Sequence, residues 1–213
     1  MINEPDVALT DFAIAIESGL FAYSLWQGRG RTERLARWFA FFFMATAVGA
    51  LAGGAVHGFF PGERWSAERV LWPASLIALG AGAMAAWAIG AIIGFGERMS
   101  RVIIRIAQLE WLFYTGAIVS GWGTFERVIL NYLPAAVFLM VMFTIRWRAT
   151  RDRSFILGIC AMVLTFVAAG VQESRFDLGL KILSYNALYH LIQGMALLLL
   201  FLGARRITEF GKS

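Results

Sequence analysis

Seven long apolar stretches divide this chain, and no other feature constrains its fold as tightly. A helix needs about 20 apolar residues to cross a hydrocarbon core of ~30 Å, and backbone in lipid must satisfy its own hydrogen bonds. Stretches of that length occur at 8–26, 36–60, 70–95, 102–122, 125–147, 154–172 and 184–204. The fourth is the least uniform, because it carries Arg105, Gln108 and Glu110. The breaks between them are polar or marked by glycine and proline, as in Gln27-Gly28-Arg29-Gly30-Arg31 and Pro61-Gly62-Glu63-Arg64. The expectation is an all-α polytopic membrane protein, with residues 1–213 forming a single seven-transmembrane-helix bundle.

Composition excludes the soluble alternative. Hydrophobic residues make up 59% and charged residues 15%, against ~45–50% and ~25% in soluble domains. The net charge of +5 does not point to nucleic acid, since the basic residues sit in short loops beside the apolar spans. They set orientation instead. Arg29, Arg31, Arg34, Arg37, Arg98, Arg101, Arg105, Arg146, Arg148, Arg151, Arg153, Arg205, Arg206 and Lys212 gather on one side. Only Arg64, Arg69, Arg127, Arg175 and Lys181 fall on the other. The positive-inside rule then puts the N-terminus outside and the C-terminus in the cytoplasm. The expected location is a bacterial inner membrane, with membrane lipids as partners. The first span follows the acidic Glu4-Pro5-Asp6 rather than a basic leader, so it is expected to be a retained helix. Cys160 is the lone cysteine and cannot form an intramolecular disulfide.

Trp26, Trp38, Trp65, Trp72, Trp122 and Trp147 fall near span ends, where an aromatic belt is expected. Gly49-x-x-x-Gly53 in span two permits close helix approach, and tight packing is the simplest reading of the glycines.

Polar side chains inside the spans are costly and turn toward protein. The chain has two histidines, His57 and His190. With ~1.5 Å per residue, they lie roughly 5 Å and 9 Å below the outer ends of spans two and seven, so they can share a layer. Asn186, His190 and Gln193 are spaced i, i+4, i+7 on one face of span seven. Thr10, Asp11, Glu17 and Ser18 share a broad face of span one, with Glu17 near mid-membrane. Glu110 and Tyr114 share a face of span four, Asn131 lies in span five, and span six ends in Gln172-Glu173-Ser174. The expected outer-half cavity is lined by Asp11, Glu17, Ser18, His57, Glu173, Asn186, His190 and Gln193.

Each group also has a structural reading. A membrane histidine can serve as an interhelical hydrogen-bond partner, worth about 0.6 kcal/mol on average. Asp11 can cap span one, Glu173 can be solvated at the interface, and Glu110 can pair with Arg101 or Arg105. Glu17 is the hardest to treat this way, because a mid-membrane carboxylate needs a partner or a proton.

The functional expectation is a metal site. Catalytic zinc takes three protein ligands and an open position for water. His57 and His190 supply two, and Glu17 is the favoured third, with Asp11 or Glu173 behind it. Glu17 and Asn186 are the expected catalytic residues, Asn186 either binding the metal weakly or holding the water that the metal activates. The reaction expected is metal-assisted hydrolysis of a lipid-like ester or amide. Two alternatives stay open. One is a non-catalytic ligand-binding, sensor or scaffold protein. The other is electron transfer through a haem held by both histidines.

The seven-span layout, with Gly53-x-x-x-His57 in span two and Asn186-x-x-x-His190 in span seven, resembles the CREST superfamily of alkaline ceramidases and progestin and adiponectin receptors. That likeness implies a zinc-dependent amidase-like centre. Glycine stands where that pattern has serine, and asparagine where it has the first histidine of the pair. Thr10-Asp11, Gly53-Gly54-Ala55-Val56-His57-Gly58-Phe59 and Asn186/His190/Gln193 are also similar to bacterial seven-helix proteins with no established activity.

Overall fold

The computed structural model describes residues 3–27, 33–60, 67–176, 178–179 and 183–209. Seven helices account for almost all of them: α1 (Pro5–Trp26), α2 (Glu33–Phe59), α3 (Glu68–Gly94), α4 (Glu97–Ala117), α5 (Phe125–Thr150), α6 (Ser154–Ser174) and α7 (Tyr185–Glu209). Each expected span has its helix, and all seven are long and apolar enough to cross a membrane. The fold is all-α, and the chain is a multi-pass membrane protein.

Local chemistry explains the ends. Pro5 opens α1, where its missing N–H costs nothing. Asp152 Oδ1 accepts the Ser154 N–H at 2.8 Å and starts α6. Ser184 Oγ accepts the Ala187 N–H at 3.2 Å, an N-cap for α7. Arg151 and Arg175 take left-handed backbone (φ 58° and 50°) and so terminate α5 and α6. The fourth helix runs on into a π turn, Ile118–Trp122, which is kinked at Gly121 with φ 89°, a conformation suited to glycine.

Six helices close a ring in the order α1, α2, α3, α5, α6, α7 and back to α1. α4 stands outside it. Among the described residues its backbone packs on α3 alone of the other helices, and only Ser100, Ile104 and Ala107 of α4 are buried. It reaches α5 through a hydrogen bond from Asn131 Nδ2 to Glu110. Glu110 thus pairs with neither Arg101 nor Arg105. The polar content that set the fourth span apart belongs to a helix with little protein around it.

One half of the ring is filled by large side chains. Phe39, Phe42, Phe43, Leu139, Phe143 and Leu200 are fully buried, and Phe21 stacks on Phe201 with centroids 4.1 Å apart. In the other half α2 presents glycine. A Cβ at Gly54 would stand 2.9 Å from Asp11 Cβ and 3.2 Å from the Phe12 ring. That close approach presses α1 onto α2 and turns Asp11 into the ring. A Cβ at Gly49 would stand 3.1 Å from Leu79 and 3.4 Å from the Ser75 carbonyl, so α3 rests against it. Tight packing is therefore one role of these glycines.

The tryptophans near the span ends differ in exposure. Trp26 and Trp122 are exposed as expected, but Trp38 and Trp147 pack against the core. Trp72 turns inward and meets His57 edge-on, 6.1 Å between ring centroids. Trp65 lies outside the described residues.

Candidate functional site

The six-helix ring encloses a cavity of about 310 Å³, lined by every helix except α4. Ligand pockets run from ~300 to 1,000 Å³, so the space suits a small molecule. Along α2 the lining runs from Phe42 to His57, roughly 22 Å at ~1.5 Å per residue. The end toward Phe42 is mostly apolar, with Ile14, Ala136 and Leu197 around it. The end toward His57 carries Asp11, Ser75, Gln172, Asn186, His190 and Gln193.

Asp11 and His190 meet across the α1–α7 seam. Asp11 Oδ1 is 3.3 Å from His190 Nε2, and their side chains are only 8% and 11% exposed. Thr10 Oγ1 fixes the other ring nitrogen, 3.0 Å from Nδ1. That hydroxyl also lies 2.9 Å from the carbonyls of Asp6 and Val7, to which a helical threonine gives its single proton. The network therefore assigns the Nδ1 proton to His190, donating to Thr10. Nε2 then faces Asp11 Oδ1.

His57 is held from outside the ring. Its Nδ1 is 2.6 Å from Glu4 Oε2. The N–H groups of Asn3 and Glu4 donate to the carbonyls of Gly58 and His57 at 3.2 and 3.3 Å, satisfying carbonyls that a helix end leaves open. Two residues on, Asp6 Oδ2 accepts the Ser184 N–H at 2.8 Å. The segment leading into α1 thus ties the end of α2 to the head of α7, the two elements that carry the histidines.

Among the residues expected at the site, Asp11, His57, Asn186, His190 and Gln193 line the one cavity. Glu17, Ser18 and Glu173 do not. Glu17 is half-buried against α7, its Oε2 3.3 Å from where a Cβ on Gly194 would stand. Ser18 is fully buried, and its hydroxyl has no hydrogen-bond partner among the described residues. Glu173 is exposed at the end of α6, whereas its neighbour Gln172 turns inward. Asp11 does not cap α1; it is buried and faces His190. Sequence reasoning missed Thr46, Ser75, Tyr132, Thr165, Gln172 and Tyr189 as lining residues. Only Gln172 carried a signal, as an amide at the end of an apolar span.

The expected zinc ligands are not all brought to one place: His57 and His190 line the cavity, and Glu17 does not. Both ring nitrogens of His190 already have partners, and His57 Nδ1 is held by Glu4. Among the described residues no group of three or more His, Cys, Asp or Glu is placed to hold a metal ion. What the arrangement offers is a set of hydrogen-bonding groups at one end of an otherwise apolar space.

No curated protein and no solved structure matches the chain. The CREST likeness therefore rests on helix count and on Gly53-x-x-x-His57 and Asn186-x-x-x-His190 alone. A family model does match residues 7–209, nearly the whole length. The chain belongs to that family, the family of unknown function DUF6962.

Proposed function

We propose that this membrane protein binds a small, largely apolar molecule with a hydrogen-bonding head group in the cavity of its helix ring. One observation carries the reading: the Asp11–His190 pair stands at the polar end of an otherwise apolar cavity. Ionisable groups inside a membrane span are expensive and mark functional sites by default. A fold that needed only packing would put apolar side chains there. The asymmetry of lysine and arginine supports a cavity head on the outer side of a bacterial inner membrane.

The test is to purify the protein from its membrane, extract it, and identify co-purified small molecules by mass spectrometry. Wild type is compared with Ala169→Phe, which fills the cavity. The reading expects a compound retained by wild type and lost in the variant. Equal retention by both would contradict it. Elemental analysis of the same samples tests the hydrolase alternative. Zinc at about one per chain, lost in both His57→Ala and His190→Ala, would move the assignment to a metal-assisted lipid hydrolase. A visible absorption band would move it to haem.

A further inference from the structure

The cavity reading says that a small molecule binds; the chemistry of the walls says which kind. We propose that the ligand is a small organic cation, a protonated amine on an apolar chain or ring. This rests on the cavity being a binding site.

The first argument is the charge inventory of the walls. Among the described residues no lysine or arginine lines the cavity, and the ionisable ones there are Asp11, His57, His190, Tyr132 and Tyr189. Each imidazole is already engaged: His57 with Glu4, and His190 with Thr10 and Asp11. Among the described residues an anionic head group would therefore find no lysine or arginine to pair with.

The second argument is the acceptors. Among the described residues, Gln172 Oε1 is buried without a hydrogen-bond partner. Asp11 Oδ1 faces His190 at 3.3 Å, and Asp11 Oδ2 is the carboxylate oxygen nearer to Gly53. That second oxygen looks onto Gly53, where a Cβ would stand 3.6 Å from it and 3.5 Å from Ser75 Oγ. Glycine thus leaves open the space beside the carboxylate. A buried acceptor without a donor is costly. An ammonium brings three donors and a positive charge.

The third argument is the remaining wall. Trp72, Phe125, Tyr132 and Tyr189 come from α3, α5 and α7 and surround the same space. Aromatic faces attract cations, most strongly where water is excluded. Toward Phe42 the walls turn apolar, which suits the rest of an amphiphilic amine.

Three probes with one tail separate the possibilities: octylamine, octanol and octanoate. Binding to the full-length protein in nanodiscs is measured by equilibrium dialysis, with empty nanodiscs subtracted to remove partitioning into lipid. The proposal expects saturable binding of octylamine, roughly tenfold or more tighter than octanol, and no octanoate binding above the empty discs. Asp11→Asn should erase the preference for the amine while octanol binding persists. Octanol or octanoate binding as tightly as octylamine would overturn the cation assignment and leave the cavity reading intact. Absence of saturable binding by all three probes, or unchanged binding in Ala169→Phe, would overturn both. The ranking of the probes on wild-type protein decides the matter even where Asp11→Asn fails to fold.

Discussion

Two stretches of one helix make the central contrast. Phe39, Phe42 and Phe43 of α2 fill one half of the ring, whereas Gly49, Gly53, Gly54 and Gly58 follow in the other half of the same helix. The surrounding helices are the same in both halves. Side-chain volume on α2 therefore decides where the bundle is solid and where it is open. In the solid half the stability comes from packing, since lipid tails are as apolar as the core and give helices little hydrophobic drive to associate. In the open half glycine does two things. Gly54 lets α1 approach, and Gly53 leaves room beside Asp11. The polar groups of the open half need hydrogen-bonding partners; the phenylalanines of the solid half need only shape.

The largest test of that contrast is Phe43→Ala. It removes the ring that packs on Phe21 and Phe201, and it should cost ~3–5 kcal/mol in reversible unfolding from detergent micelles. A loss under ~1 kcal/mol would mean the solid half is not close-packed. Next come two adjacent glycines. Gly54→Ala forces a Cβ against the Asp11 side chain and should cost ~1–3 kcal/mol. Gly53→Ala meets only ordinary contacts and should leave unfolding almost unchanged. Equal effects would break the distinction between the packed face and the open one. Thr10→Val is expected to cost ~1–3 kcal/mol, because it leaves the His190 Nδ1–H without an acceptor. A change in the His190 ring nitrogen resonances should accompany it; unchanged resonances would refute the assigned network. The smallest effect is at the head of α7. Ser184→Ala removes an N-cap worth ~1 kcal/mol, and a neutral result would place that stability elsewhere.

The helices were legible because hydropathy over 20 residues is a strong signal, and the glycine and proline breaks bounded it. Asp11, His57, Asn186, His190 and Gln193 were legible as lining residues for a related reason: a polar group within an apolar span has to face protein. The failures are failures of helix rotation. Gln172 and Glu173 differ by one residue, about 100° on a helix, and only Gln172 turns inward. Glu17 shares a broad face with Thr10, yet lies against α7 near Gly194 rather than in the cavity. Trp72 sits near a span end, as an interfacial residue would, but packs on His57 inside the ring. Which way a helix turns is set by contacts distant in sequence, such as Gly54 against Asp11. No local pattern encodes those contacts. The same holds for the exclusion of α4 from the ring: Arg105, Gln108 and Glu110 made the fourth span unusual, but only the packing shows that it stands outside.

The most direct test of an open half beside a solid one is thiol accessibility at two serines that are both buried. Ser75 lines the cavity, whereas Ser18 lies off it. Ser75→Cys and Ser18→Cys are made in a Cys160→Ala background and exposed to methyl methanethiosulfonate in the native state. The account predicts that the thiol at position 75 reacts in the folded protein and that the one at position 18 reacts only on unfolding. Equal protection of both thiols, or faster reaction at position 18, would contradict it.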